Sequence, residues 1–561
     1  MSDESPRPFS LLPQHVKPIS QAGRSVSNGD RQPSLEGLAN SGLFDGSLIS
    51  SDASSPNTYF SRFNDSIGGL HFAGHHLGSL SCYYGIPIFS ADGRAWVRSR
   101  TGDDFAFTPD HVQWLSYEDV DLTSMLSADI LNYMPERSTI EVYLKAYAES
   151  PLSSIFPIID PKHFARTVDA AFGQTQHAKW RVAVARFSVC SFLTFFAAII
   201  GHVLKLDVPF VDIDRLAETS YALFSRCTSF PPTVEALSGT VALHFFETAR
   251  GDMQKVDNLV STCVRLLFNL GLHMTPGLNG ERTDRRDEPM RNLFWTCYAM
   301  DKEHTFRTGR PPMIVDEHCD LTLPVNYLAA MSNPIAGAHH YHTDLRLSIL
   351  KAKAYRSLYS VEAQKKTEID IIKTIRELDE ELEQWRMSLP TAMRPSLAHQ
   401  EKPQCEWSMQ QLQSLMLRLE YHYVTAIVHQ ASSRCASWAG NHDIIAEGIS
   451  SSLAVSVAAS RSTLLSLVST TTTFPRPVLW VLLFYPISAV LTVFCSILDD
   501  PASVVAQSDA KLLEQVAVIL TPDSTDPAAT DVNISAHIQV GFAREVARLA
   551  RSAICKAQRE G

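Results

Sequence analysis

Residues 294–312 read FWTCYAMDKEHTFRTGRPP, and the reading of this stretch decides the fold. It predicts an amphipathic helix with both ends marked. Pro289 falls in the first turn, where the N–H it lacks would be unpaired in any case. Met290, Leu293, Phe294, Cys297 and Tyr298 then recur at three- and four-residue steps, which places them on one face. Gly309 suits the left-handed backbone that closes a helix, and Pro311 and Pro312 forbid its continuation. Asp301 continues the apolar face. A carboxylate there is costly unless paired, and Arg307 or Arg310 is the nearest candidate partner. Asp301 therefore reads as half of a structural ion pair bracing a helix end rather than as a catalytic acid.

Two further segments work outward from this one. Residues 245–273, FFETARGDMQKVDNLVSTCVRLLFNLGLH, predict a helical pair. Gly251 breaks the pattern and Asp252 caps the second helix of the pair; Val256, Leu259, Val260, Cys263, Leu266, Leu267 and Leu270 line one side, ending at Gly271. Residues 143–164, YLKAYAESPLSSIFPIIDPKHF, place a helix before a Phe-Pro-Ile turn. In chain order, 143–164, 245–273 and 294–312, the three segments resemble the fungal-specific transcription factor regulatory domain, the large helical region that usually follows a binuclear zinc cluster. The similarity runs from about Pro135 to about Pro324, with weaker helical similarity to about Leu498. It implies a nuclear regulator of RNA polymerase II transcription, acting through effector sensing and contacts with the transcription machinery or family dimer partners. It also makes Phe294, Trp295, Tyr298, Asp301, Gly309, Arg310, Pro311 and Pro312 a structural family signature.

The zinc cluster of that family is expected to be missing here. Such a cluster needs six cysteines in two closely spaced groups, because neighbouring ligands must reach the same pair of ions. The ten cysteines stand at 82, 190, 227, 263, 297, 319, 405, 435, 495 and 555, with no two at such a spacing. No cofactor is therefore expected in this chain, and zinc only through a cluster upstream of it. With 49 basic against 60 acidic side chains, the net charge of −11 gives no general attraction to phosphate. The longest basic clusters are pairs, Arg285-Arg286 and Lys365-Lys366, not the stripe of a nucleic-acid-binding surface. DNA contact would then need the missing module. Two explanations fit: a truncated gene product, or a natural form acting as cofactor or competitor of full-length factors. The polar start MSDESPRPFS carries no signal peptide, so a reduced intracellular compartment is expected.

A chain of 561 residues exceeds one compact core. Residues 1–66, rich in Ser, Pro, Gly, Asn and Asp, are expected to be a disordered tail. Residues 67–120 are expected to be a glycine-rich packed segment, either with one or two short strands or irregular, with a turn at Ala91-Asp92-Gly93. Residues 121–500 are the helical regulatory domain. Within it Ile371, Ile375, Leu378, Leu382, Trp385 and Leu389 space a helix packed along another, with Asp379, Glu380, Glu381 and Glu383 mostly on the wet side. The apolar run at residues 187–200 is too short to span a bilayer; that at 478–498 is long enough, and reads as a core helix because its flanks lack a basic anchor. Residues 501–533 read as a linker. Residues 534–561 form a final amphipathic helix, which either packs back or offers a face to a partner.

Enzyme signatures are absent: no nucleophile elbow, phosphate-cradling loop, dinucleotide fingerprint or paired-histidine zinc helix occurs. His71, His75 and His76 read as packed or exposed rather than metal-bound, and His339, His340 and His342 as a polar loop. The expectation is an all-α, multi-helix regulatory domain with disordered termini and a small glycine-rich segment before it, neither an enzyme nor a membrane protein. The rival reading is a helical small-molecule-binding protein or enzyme without transcriptional role, since helical bundles readily enclose apolar pockets.

Overall fold

The computed structural model describes residues 69–80, 86–107, 133–173, 179–203, 207–274, 288–324, 327–328, 341–398, 409–435, 444–470, 484–521 and 534–560. The expected N-terminal tail lies outside these. The all-α class holds, with 16 helices and one small sheet among the described residues.

The glycine-rich segment folds more regularly than expected, into three strands rather than one or two. β1 (Gly69–Phe72), β2 (His75–Leu80) and β3 (Pro87–Phe89) form an antiparallel sheet in that order. Gly78 has φ +151°, and a Cβ there would lie 2.0 Å from the Ile88 carbonyl oxygen, so only glycine lets β3 close on β2. The expected turn at Ala91-Asp92-Gly93 is instead the first turn of α1 (Ala91–Thr101). Ser90 caps it by accepting the Gly93 N–H at 3.0 Å, and Asp92 favours the positive end of the helix dipole.

A first core gathers α2 (Arg137–Glu149), α3 (Leu152–Ile155), α4 (Pro161–Ala171), α5 (Lys179–Val203), α6 (Ile213–Cys227), α7 (Val234–Arg250), α8 (Met253–Asn269) and the first half of α9 (Glu288–Thr308). The apolar run at 187–200 belongs to the longer α5, whose polar start hides its true length. Phe187, Phe192, Leu193, Phe195 and Phe196 are all sealed. Gly239 of α7 lets the two helices approach, since a Cβ there would meet the Phe187 ring at 2.8 Å. The α7–α8 joint follows local chemistry: Gly251 takes φ +75° and Asp252 accepts the Lys255 N–H at 3.1 Å.

A second core packs α10 (Leu345–Ala354), α11 (Glu368–Ser388), α12 (Met409–Gln430), α13 (Ile444–Thr470), α14 (Phe484–Asp499), α15 (Ala506–Ile519) and α16 (Ile534–Glu560). α11 buries its predicted stripe, although Asp379 and Glu381 of its wet side reach His429 and Lys353. The expected linker at 501–533 carries α15, because Ala506, Ala510, Leu513, Val516 and Ala517 make a helical stripe amid polar residues. α14 covers the described part of the long apolar run, with Pro486 tolerated in its first turn; residues 478–483 lie outside the described set. By length and composition, Lys179–Ile199 and Ala446–Ser469 are long enough to cross a membrane; 72% and 61% of their apolar windows are buried inside the fold.

α16 packs back on the body through Phe542, Val546, Leu549 and Ala553. It also receives the sheet segment, whose Phe105 and Phe107 rings meet Phe542. The Ser552 hydroxyl donates to Asp103 at 2.7 Å, Arg548 pairs with Asp103 at 3.1 Å, and Glu545 accepts the Ala106 N–H at 2.9 Å.

Candidate functional site

The first half of α9 is an aromatic plug. Phe294, Trp295 and Tyr298 have no exposed surface, and the Arg291 guanidinium lies 4.4 Å from the Phe294 ring centre. Arg291 also donates to the carbonyls of Asp320 and, at 3.0 Å, Thr322, holding the returning chain beside the helix. Met290 departs from the predicted apolar face: it is 40% exposed, because the helix enters the core only from Asn292 onward.

The second half is a run of buried charges. Asp301 and Lys302 are each 1% exposed, His304 4% and Arg307 8%. Asp301 accepts the Met313 N–H at 2.8 Å on one carboxylate oxygen and the Ile314 N–H at 3.0 Å on the other, which folds the Gly-Arg-Pro-Pro loop back onto the helix. Gly309, at φ +72°, makes the reversal possible and donates to the Thr305 carbonyl at 2.9 Å. The cationic partner of Asp301 is Lys302, 3.1 Å away, and not Arg307 or Arg310 as the sequence suggested. Helical spacing made those arginines look near, but Arg307 pairs back along the helix with Glu303, and the reversal at Gly309 sends Arg310 to Asp257. Lys302 also donates to the Ile314 carbonyl and lies 4.6 Å over the Tyr298 ring, whose hydroxyl donates to Asp316 at 2.9 Å. Burial and the neighbouring Asp316 push the Tyr298 phenol far above its ordinary pKa.

Arg310 pairs with Asp257 of α8, which also receives His304 Nε2 at 2.9 Å. The hydrogen bond from His304, opposed by burial and reinforced by Arg310, lowers the Asp257 carboxyl to about 2. Arg307 pairs with Glu303. Burial works to raise the Glu303 pKa, but the charges of Arg307 and Lys351 prevail and hold it at about 2. Beyond it Lys351 of α10 and the Thr343 hydroxyl both donate to Glu420 of α12, all three deeply buried. Pro311 is exposed and Pro312 half-buried, so the prolines stop the helix without filling the core.

Two histidines complete this layer. His342, expected in a polar loop, is instead buried, stacked on Phe156 at 6.0 Å and 4° between planes. Neither of its ring nitrogens has a hydrogen-bond partner, and Nε2 lies 3.8 Å from Glu303. Burial lowers its pKa to about 4, and that of buried His244 well below its ordinary value. His339 and His340 lie outside the described residues. Among the described residues no group of three or more His, Cys, Asp or Glu side chains is placed to hold a metal.

The layer joins the two cores, since Leu293 to Met300 belong to the first and Phe306 to the second. Each of its carboxylates meets a cation or a donor, so it is built to fix one geometry. Lys302, Lys351, Glu420 and Asp257 escaped sequence reading because a lysine or an acid on a helix usually marks its wet side.

A multi-helix body whose loop after α9 is pinned by buried charge is what this fold and site define. Residues 211–387 match the fungal specific transcription factor domain, and the chain carries that domain. An ABC-transporter-regulating transcription factor of Aspergillus fumigatus is 24% identical over 519 residues, covering 86% of this chain and 55% of the relative. Its counterpart in Aspergillus oryzae matches to the same extent. Pyrimidine pathway regulatory protein 1 of Saccharomyces cerevisiae is 31% identical over 130 residues, 22% of this chain and 14% of the relative. The chain thus spans about half the length of the Aspergillus relatives it matches. No solved structure matches it.

Proposed function

We propose that this chain is the regulatory part of a fungal transcription regulator, acting in the nucleus on RNA polymerase II transcription through protein contacts and a small-molecule effector, and without catalysis. The observation that carries the reading is the match of residues 211–387 to the transcription factor domain, in a chain whose signature loop is locked into the core by Asp301. A net charge of −11 and scattered cysteines support DNA contact through a module or partner outside these 561 residues. The two Aspergillus relatives are named for regulating ABC transporters, which makes transporter genes the first targets to assay. The test is to tether the full chain to an unrelated DNA-binding domain upstream of a reporter. A several-fold change in reporter output over the untethered chain is expected; unchanged output from a stable, nuclear fusion would favour a helical binding protein or enzyme without transcriptional role.

A further inference from the structure

A cleft of about 1040 Å³ opens in the first core, away from the charged layer. It lies between α4, the first turns of α5, α7 and α9, and the Pro157–Ile159 turn. Its walls are apolar, with Ile158, Val184 and Leu293 among them. Its volume lies at the upper end of the range for small-molecule sites. Two independent observations say what it would take.

The first is charge. Lys162, Arg166 and Arg181 stand on the rim, and none has an ion-pair partner among the described residues. Against these three cations the lining carries two carboxylates, Asp160, which pairs with His163, and Glu235. In a protein of net charge −11 this local surplus runs against the average. The second is an unanswered hydroxyl. Ser188 lines the cleft, is 1% exposed, and its Oγ has no hydrogen-bond partner. A buried polar atom is normally satisfied, so this one is left for something that enters.

We propose that the cleft binds an amphipathic organic anion, its apolar body between α4 and α5 and its carboxylate or sulfonate held by the rim cations, and that this is the effector site of the regulatory domain. The effector role rests on the transcriptional reading of the chain; the binding does not.

The test uses the full chain and 8-anilinonaphthalene-1-sulfonate as fluorescent probe, with dodecanoate and dodecanol as competitors below micelle formation. Saturable one-to-one binding is expected, with dodecanoate displacing the probe at least tenfold better than dodecanol. Arg166→Glu combined with Arg181→Glu should weaken binding tenfold or more with an unchanged melting midpoint, and Ala170→Trp should block it by filling the cleft. Non-saturable binding, indifference to the charge reversals, or equal competition by the alcohol would overturn the site. In the tethered reporter, variants that lose the probe yet respond to dodecanoate like the wild type would refute the effector role alone. A chain that binds the probe but never alters the reporter would instead sink the transcriptional reading and leave the site standing.

Discussion

Helices α5 and α9 are buried in the same core by opposite chemistry. α5 offers phenylalanines, leucine and small residues, and its buried Thr194 hydroxyl turns back to donate to the Cys190 carbonyl at 2.8 Å. α9 instead carries Asp301, Lys302, His304 and Arg307 into the interior, each answered by a partner on the following loop, on α8 or within the helix. Apolar burial tolerates substitutions that keep volume and shape. Buried charge does not, because a displaced partner leaves a desolvated ion behind. The difference teaches where register is enforced: α5 supplies bulk, and α9 fixes which loop lies where.

The comparison breaks first at Asp301. Asp301→Ala leaves the Lys302 ammonium buried without its carboxylate and the Met313 and Ile314 N–H groups without an acceptor, a loss expected at about 3–5 kcal/mol. Chemical denaturation of Asp301→Ala and of Asp301→Leu with Lys302→Met measures it. The double variant should recover much of the loss if an uncompensated charge is the cause; equal damage in both would show that the hydrogen bonds to the loop dominate.

Leu193→Ala in α5 should cost about 3 kcal/mol by transfer and cavity terms. Unlike Asp301→Ala it should be rescued partly by Leu193→Met, because only volume is at stake. Failure of methionine to rescue would mean that α5 also enforces geometry.

Gly309→Val places a β-branched side chain at φ +72° and should lower stability by about 1–2 kcal/mol. Limited proteolysis should then cut within residues 309–313 faster than in the wild type. An unchanged melting midpoint would remove the left-handed reversal from the account of the loop.

The smallest effect concerns pH. The ordinary histidine value of 6.5 applies to His342 in the unfolded chain, and about 4 in the folded one. Below 6.5 the unfolded chain takes up a proton that the folded imidazole refuses, so stability is complete above 6.5 and falls as pH drops toward 4. Between pH 7.5 and 5.5 this amounts to about 1 kcal/mol for His342. Glu247 and Glu420, whose carboxyls burial pushes up, work in the opposite direction. The clean measurement is therefore the difference between wild type and His342→Phe at the two pH values. The variant should lose less on acidification; identical losses would show that His342 is hydrated in solution.

The parts of this fold legible in the sequence were those set by local chemistry. Gly251 and Asp252 end one helix and begin the next through their own backbone and side-chain preferences, and Gly309 does the same for α9. Stripes such as Val256 to Leu267 followed from spacing alone. The partner of Asp301 did not, because periodicity places a residue on a face without saying which loop will cover it. α15 was obscured by the Ser, Thr and Asp around it, and the start of α1 by an Asp-Gly pair that favours both turns and first helical turns. The cleft was out of reach for another reason: its walls come from five places along the chain that only tertiary packing unites.

The docking of the sheet segment on α16 has a consequence in time. Asp103 and Ser552 are 449 residues apart, and the hydrogen bond between them closes one of the longest loops in the molecule. At a synthesis rate of roughly 5–20 residues per second, the sheet is made on the order of tens of seconds before its docking partner exists. Its apolar faces, Phe89 and Phe105 among them, must wait for Phe542 while the helical cores in between are already forming. On the ribosome, a segment made early is thus among the last to find its place.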